Sequence, residues 1–306
     1  MALSGDDRFG LAVSGGPDSL GMLLLAHGAL PGRIEAASVD HGLRPGSAKE
    51  AASVARICQT LDIPHRTLTV AVAGGNVQSG ARAARYRALS QWAGAAGLDA
   101  VMTAHHADDQ AETLLMRMNR GSGLAGLASI RASAPIPHAP PGYEGMVLRP
   151  LLRWRKAELA ECVRAAGLDP IDDPSNADPR FDRARVRTAL RETDWLDAAG
   201  LARSAGLLAQ AHDLVESMVE EKFAACAFPE GAGYRLEPCG PAMLRVELAA
   251  RVLEAMDAPA SRTMIAAAIE RLEKGENASL SGVLITPAGA RAGGWRFRPE
   301  PPRGPR

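Results

Sequence analysis

An apolar run that breaks into paired glycines and then resumes as a longer apolar run constrains this chain more than any other feature. Phe9-Gly-Leu-Ala-Val13 reads as a buried strand, Ser14-Gly-Gly-Pro-Asp-Ser19 as a tight turn, and Leu20 to Leu30 as a helix. A strand that turns on glycine into a helix makes a cradle for phosphate. Gly15 and Gly16 can take positive φ and let the backbone approach a ligand. The amides that follow, with the positive end of the helix, favour an anion. Ser14, Asp18 and Ser19 add polar side chains to the same turn. The lysine of the Walker A pattern is missing, so the loop must hold a phosphate chain in another way.

The pattern after the first unit keeps alternating. Ile34 to Asp40 reads as a strand and Ala48 to Leu61 as a helix, with Ser47 and Glu50 placed for a capping box. His65 to Val72 is a third strand, Arg82 to Ala96 a helix, Ala100 to Thr103 a fourth strand, Asp108 to Met118 a helix, and Val147-Leu148 a fifth strand. Ser133 to Gly145 reads as a proline-rich loop. This alternation predicts an α/β fold: a parallel sheet with helices on both faces, in the Rossmann-like manner. Ligands of such sheets sit at the carboxyl ends of the strands. Here those ends carry Ser14–Ser19, Asp40–Arg44 and Thr103–Asp109.

Arg155 to Ala166 and Arg183 to Arg191 read as further helices. Leu196 to Ala225 is a long Ala/Leu-rich helical stretch with possible breaks at Gly200 or Gly206. Met243 to Met256 and Ser261 to Leu272 are two more helices, with Ser261 as N-cap. Ser279 to Thr286 and Trp295 to Arg298 suggest a small sheet. The expected division is residues 1–193 for the α/β domain and 194–306 for a helical connector with a smaller helical or α+β domain.

Composition narrows the class. The 306 residues carry Lys+Arg 35 against Asp+Glu 35, a formal net charge of zero, so any grip on a polyanion must rest on local clusters. Arg291, Arg296, Arg298, Arg303 and Arg306 form one such cluster. The four cysteines, Cys58, Cys162, Cys226 and Cys239, form no Cys-x-x-Cys pair and read as reduced thiols. No signal segment and no membrane-length apolar run is visible, which points to a cytoplasmic protein without a membrane partner. Oligomeric state is left open.

Four more constellations carry chemistry. Val39-Asp-His-Gly-Leu-Arg44 ends the second strand with Asp40 and His41, or is simply a strand-end turn. Thr103-Ala-His-His-Ala-Asp-Asp-Gln-Ala-Glu-Thr113 gathers two histidines, two aspartates and a glutamate. His105, Asp109 and Glu112 could share one helical face. Carboxylate oxygens suit Mg²⁺ bridged to substrate phosphates; a zinc site is the rival. Arg117-x-x-Arg120-Gly-Ser-Gly-x-x-Gly-Leu127 suggests a glycine-rich loop able to close over a site, or a helix C-cap and linker. Asp172-Asp-Pro-Ser-Asn176 precedes Arg183, Arg185 and Arg187, whose spacing also fits an ordinary charged helix.

Together these residues bring a resemblance into view. Ser14-Gly-Gly-Pro-Asp-Ser19 resembles the PP-loop of the N-type ATP pyrophosphatases. With Asp40-His-Gly-Leu-Arg44, Ala81-Arg-x-x-Arg-Tyr86, His105-His-x-Asp-Asp-Gln-x-Glu-Thr113, Arg120-Gly-Ser-Gly-x-x-Gly-Leu127, Arg149-Pro-Leu-Leu152 and the Asp-x-Ser-Asn…Arg run in this order, it is similar to the tRNA(Ile)-lysidine synthetases. The resemblance implies joining L-lysine to C2 of the wobble cytidine in tRNA(Ile) bearing a CAU anticodon. ATP adenylates the C2 oxygen and releases diphosphate; the lysine amine then displaces AMP.

Carried over position by position, the resemblance implies that Ser14, Gly15, Gly16, Pro17, Asp18 and Ser19 bind the ATP phosphates, with Asp40 and His41 beside the nucleotide. Asp18 and Asp109 are its essential carboxylates, acting through Mg²⁺. His105 or His106 is the candidate base, and Glu112 the candidate partner of the lysine ammonium. Arg120, Arg183 and Arg187 would contact tRNA or stabilise the adenylate, and Asp172 and Asn176 belong to the substrate side. The second domain would bind the tRNA body. Ala184 stands where the family often has asparagine after Arg183. The alternatives are a PP-loop tRNA thiolation enzyme, an ATP-dependent amide-forming ligase on a small molecule, and a nucleotide-holding module without turnover.

Overall fold

A computed structural model describes residues 4–42, 46–70, 77–171, 180, 182–288 and 294–301. Arg44, Val72, Asp172, Asn176, Arg291, Arg303 and Arg306 lie outside these. The chain divides into two compact units, Met1–Ala209 and Gln210–Arg306.

In the first unit β1 (Phe9–Ala12) is buried along its whole length, as a strand covered on both faces must be. It leads into α1 (Pro17–Ala29), β2 (Ile34–Asp40), α2 (Ser47–Thr60), β3 (His65–Thr69), α3 (Val77–Ala96) and β4 (Ala100–Met102). After α4 (Ala107–Asn119) and the single turn α5 (Leu124–Leu127) come β5 (Ser133–Pro135), β6 (Met146–Leu148), α6 (Lys156–Ala165) and α7 (Asp182–Glu192). The sheet order is β3-β2-β1-β4-β6-β5. All pairings are parallel except that of β5 with β6.

The period-two alternation of β1 builds two cores. Phe9, Leu11 and Val13 pack with Leu20 and Leu23 of α1, Val54 and Cys58 of α2, and Leu159 of α6. Ala12 faces the other way, with Ala37, Val101, and Leu89 and Trp92 of α3. Helices therefore cover both faces, as the alternating pattern requires. The strand order reverses between β1 and β4, one connected outward through α1 and β2, the other toward β6. The crevice at such a switch point is where open α/β sheets bind ligands.

Several local expectations are corrected. Helix α1 starts at Pro17 rather than Leu20, with proline at the first helical position where its missing N–H is harmless. Ser47 and Glu50 do not form a capping box: Gly46 is the N-cap of α2, with no side-chain cap, and the Ser47 hydroxyl hydrogen-bonds the Asp40 carboxylate instead. The proline-rich stretch contains an antiparallel edge strand, β5, where Pro135 costs little because an edge leaves N–H positions unpaired. The glycine-rich run after α4 is a helix stop: Gly121 has φ +66°, and its N–H and that of Ser122 bond the carbonyls of Met118 and Arg117.

Helix α8 (Ala198–Cys226) has no break at Gly200 or Gly206. Asp197 accepts the N–H of Ala199 (2.9 Å) and Gly200 (2.8 Å), so Gly200 sits in a capped first turn. A single helical glycine costs about 1 kcal/mol, too little to interrupt a helix of this length.

The second unit pairs β7 (Ala227–Glu230), β8 (Gly233–Leu236), β9 (Ala278–Leu280), β10 (Val283–Pro287) and β11 (Trp295–Pro299) in the antiparallel order β7-β8-β11-β10-β9. Helices α9 (Ala242–Ala255) and α10 (Arg262–Glu273) cover it. Leu248, Leu253, Ile265 and Ile269 meet Leu236, Ile285, Trp295 and Phe297. The stretch Ser279 to Thr286 is two strands, turned at Ser281 (φ +50°) and Gly282 (φ +80°). Ser261 caps α10 as expected, accepting Met264 N–H at 3.3 Å.

Candidate active site

The turn after β1 is held from within. Ser19 Oγ accepts the N–H groups of Ser14 (3.2 Å) and Gly15 (3.1 Å) and donates to the Gly16 carbonyl (3.0 Å). Only Gly15 takes positive φ, at +89°; Gly16 is extended and serves as the α1 N-cap with no side-chain cap. The first-turn amides of Asp18 and Ser19 have no acceptor among the described residues, which leaves a helix N-terminus available to an anion. A Cβ on Gly15 would lie 2.3 Å from Ile171 Cδ1, and Ile171 N–H donates to the Gly15 carbonyl at 3.0 Å. Gly15→Ala combines a disfavoured φ with that collision; the expected result is a stability loss of about 1–3 kcal/mol with weakened ATP binding, read by thermal unfolding with and without ATP.

The second half of the site comes from β4. His106 is the N-cap of α4: Asp109 N–H donates to His106 Nδ1 (3.3 Å), and His106 N–H donates to Asp109 Oδ2 (3.0 Å). His106 Nε2 stands 3.5 Å from Asp18 Oδ2 and 3.5 Å from Asp109 Oδ2. One buried ring therefore joins the loop after β1 to the helix after β4. In the neutral ring this pattern places the proton on Nε2, with Nδ1 accepting. Burial depresses the His106 pKa, but the Asp18 hydrogen bond and the charges of Asp109, Asp18 and Asp108 outweigh it and hold it above the usual value. Asp108 steadies the same corner by accepting Lys156 N–H at 2.8 Å.

His105 lies ahead of the helix rather than on its face, because the helix begins at Ala107. Its Nδ1 meets Thr103 Oγ1 at 2.9 Å. Burial pushes its pKa down from 6.5 to about 4; Asp109 opposes this, and Arg149, Arg85 and Arg183 add to it. The folded chain refuses a proton that the unfolded chain accepts. The stability tied to neutral His105 is whole above pH 6.5 and is lost as pH falls toward about 4. Thermal unfolding of wild type and His105→Asn from pH 7 to 4 should show the wild type losing its margin over the variant as the solution acidifies; parallel curves would refute it.

Asp109 and Glu112 do share a face, and α7 closes on it. Arg183 donates to Asp109 Oδ1 and Glu112 Oε2, each at 2.6 Å. Arg187 donates to Glu112 Oε1 (2.6 Å) and Oε2 (3.2 Å). Glu112 is buried, with both oxygens engaged, and the contact holds Arg187 more firmly protonated than usual. Arg185 turns aside to Asp182 (3.5 Å), and Arg120 reaches the same carboxylate at 2.9 Å, both exposed. The sequence singled out the arginines but not which two would meet Glu112. Arg85 and Arg149 were quoted only as motif members, yet both are close enough to act on His105.

Of the five buried side-chain polar atoms without a partner among the described residues, two, Asp18 Oδ1 and His41 Nδ1, lie at this end of the sheet. Each belongs to the carboxyl end of a neighbouring strand. Asp40 is held ionised by Ser47 and by Gly42 N–H at 2.9 Å. A free carboxylate oxygen with a nearby acid is the donor set of Mg²⁺, which takes one or two protein oxygens and completes its shell with water and substrate phosphate. Zinc finds no set of three or more ligands among the described residues. Gln110, counted among the polar cluster, is structural: it donates to the Ile130 carbonyl and accepts its N–H, both at 2.8 Å.

The expected arginine cluster of the second unit is already paired where it is described: Arg296 Nε with Glu230 (3.1 Å) and Arg298 with the same carboxylate (3.6 Å). No helix among the described residues is long and apolar enough to cross a membrane.

A glycine turn with a capless helix start, an acid aimed across the switch point and no Walker lysine define a PP-loop nucleotide-binding protein. The PP-loop domain family matches residues 2–193. A U34-tRNA thiolase from Methanococcus maripaludis shares the fold, with a TM-score of 0.54 and 18% identity over 67% of this chain and 72% of that one. A tRNA(Ile)-lysidine synthase from Novosphingobium aromaticivorans is 45% identical over 304 residues, covering 98% of this chain and 91% of its own. Its counterpart from Zymomonas mobilis is 40% identical over 305 residues, covering 97% and 89%. The chain belongs to the tRNA(Ile)-lysidine synthase family of PP-loop proteins.

Proposed function

We propose that this chain joins L-lysine to C2 of the wobble cytidine of tRNA(Ile) with a CAU anticodon, using ATP to adenylate the C2 oxygen and releasing diphosphate and then AMP. The observation that carries the reading is the meeting of Asp18, His106 and Asp109 between the ends of β1 and β4, with Arg183 bound to the same acid. The near full-length identity to proteins named for lysidine formation supports the substrate.

The first-turn amides of α1 bind the phosphate chain, and Asp40 and His41 flank the nucleotide at the next strand end. Asp18, with its free Oδ1, would hold Mg²⁺, and Asp109 would join it. That ion would offset charge developing between the α- and β-phosphates. His106 is assigned to orientation, since its Nδ1 is engaged in capping α4. His105, neutral as the pocket stands, is the proton acceptor for the lysine ammonium; arriving phosphate anions raise its basicity. Glu112 anchors Arg183 and Arg187. It offers an oxygen to the lysine ammonium only when those guanidiniums shift toward the phosphates. Arg120 is assigned to contact with the tRNA, and the family resemblance assigns Asp172 and Asn176 a role toward the same substrate.

The second unit, residues 210–306, binds the tRNA body. Its exposed ion pairs are worth little in water, so phosphates can exchange for the carboxylates. The thiolation alternative finds no support in Cys58, buried in the core with its thiol pushed up to about 11. The test is incubation with ATP, labelled lysine and a tRNA(Ile) transcript with CAU. Lysine should enter the tRNA with AMP and diphosphate as products; release of ADP and inorganic phosphate would sink the reading.

A further inference from the structure

Two of the four cysteines, 13 positions apart in sequence, meet in the second unit. Cys226 is the last residue of α8, and Cys239 follows β8. Their sulfurs stand 3.3 Å apart as free thiols, both only partly buried at the rim of the core. The backbone already holds this geometry. Glu237 N–H donates to the Cys226 carbonyl at 2.9 Å, and the strands continue in register from Ala227↔Leu236. Neither sulfur takes part in the nucleotide site. Burial holds the Cys226 pKa above its usual value, as do the hydrogen bond and charge of Cys239 and the charge of Glu237; Lys222, one turn earlier on α8, acts in the opposite direction.

We propose that Cys226 and Cys239 form a thiol–disulfide exchange site that takes low-molecular-weight disulfides and closes to an intramolecular bond. One thiolate attacks a sulfur of the small disulfide, forming a mixed disulfide and expelling one small thiolate. The neighbouring cysteine, as its thiolate, attacks the protein-side sulfur of that mixed bond and expels the second. The two protons lost by the cysteines pass to the two small thiolates, so two protein thiols are oxidised and one small disulfide is reduced to two thiols. The bond encloses the β7–β8 hairpin and ties the end of α8 to the approach to α9. Closing such a loop constrains the unfolded chain more than the folded one.

The test uses the full-length protein with oxidised glutathione, followed by denaturation, thiol titration, intact mass and peptide mapping. The expected result is loss of half of the four titratable thiols, a mass lower by two hydrogens, a Cys226–Cys239 linked peptide, and reversal by dithiothreitol. Cys58 and Cys162 should remain free. In at least one of Cys226→Ser and Cys239→Ser the glutathione adduct should persist, because no neighbour displaces it. Wild-type protein that retains glutathione, that links other cysteines, or that leaves both sulfurs unmodified while Cys162 reacts would overturn the proposal.

Discussion

Asp18→Asn should lower ATP–diphosphate exchange by about 10³-fold or more while the protein keeps its fold and its hold on tRNA. The argument begins with the two oxygens. Oδ2 faces His106 Nε2 at 3.5 Å, and an amide oxygen can keep that contact. Oδ1 is buried without a partner among the described residues, and the substitution puts an N–H₂ or a neutral oxygen there. Little native bonding is lost, so the thermal midpoint should hardly move. What disappears is a negative charge beside the first-turn amides of α1, where the proposed function puts a metal-bound triphosphate. Exchange measured with tRNA(Ile) and without lysine isolates the adenylation step, and filter binding reports tRNA separately. If Asp18 merely tethered His106, the loss of activity would track a fall in stability. Normal exchange in the Asn variant would remove Asp18 from the chemistry.

Much of this site was legible because parallel strands put their functional residues at one end. Ser14–Ser19, Asp40–His41 and Thr103–Asp109 each follow a short apolar run, and the run fixes which end they occupy. That Asp18 would stand beside His106 was not written locally. It depends on β4 pairing with β1, Phe9 against Ala100, and no periodicity carries that choice. Local chemistry misled where a long-range partner competed for the same group. Ser47 and Glu50 have the spacing of a capping box, yet the hydroxyl serves Asp40 across a loop. His106 reads as an acid or base from its type, but its ring nitrogen replaces the usual serine or aspartate at a helix start. Arg183, Arg185 and Arg187 look evenly spread around a helix. Only the packing of α7 on α4 selects the first and third for Glu112 and leaves the second to an exposed pair with Asp182. The hairpin of β7 and β8 escaped notice because Pro229 and the small residues Ala227, Gly231, Ala232 and Gly233 dilute its alternation, while its pairing with the rest of the second sheet supplies the stability that the local pattern lacks.

Glu112→Ala is expected to cost about 2–4 kcal/mol, somewhat less than the ~3–5 kcal/mol of breaking a fully buried ion pair, because the guanidiniums of Arg183 and Arg187 are partly exposed. The carboxylate itself is buried, and four hydrogen bonds from two arginines end on it or on its neighbour Asp109. Its removal leaves Arg187 with no hydrogen-bonded carboxylate among the described residues and Arg183 with Asp109 alone, two like charges one helical turn apart. The thermal midpoint should fall by roughly 5–15 °C, with loss of adenylation as α7 drifts from α4. Removing Arg187 as well should return part of the stability, since the uncompensated cation is then gone; a double-mutant cycle measures this coupling. Glu112→Gln, which keeps the shape and one acceptor, should fall between. An alternative assignment has a different signature. If Glu112 served only the lysine ammonium, the alanine variant would keep its midpoint and its ATP–diphosphate exchange, and would raise the KM for lysine alone. That result would overturn the anchoring role and open the arginine pair to another explanation.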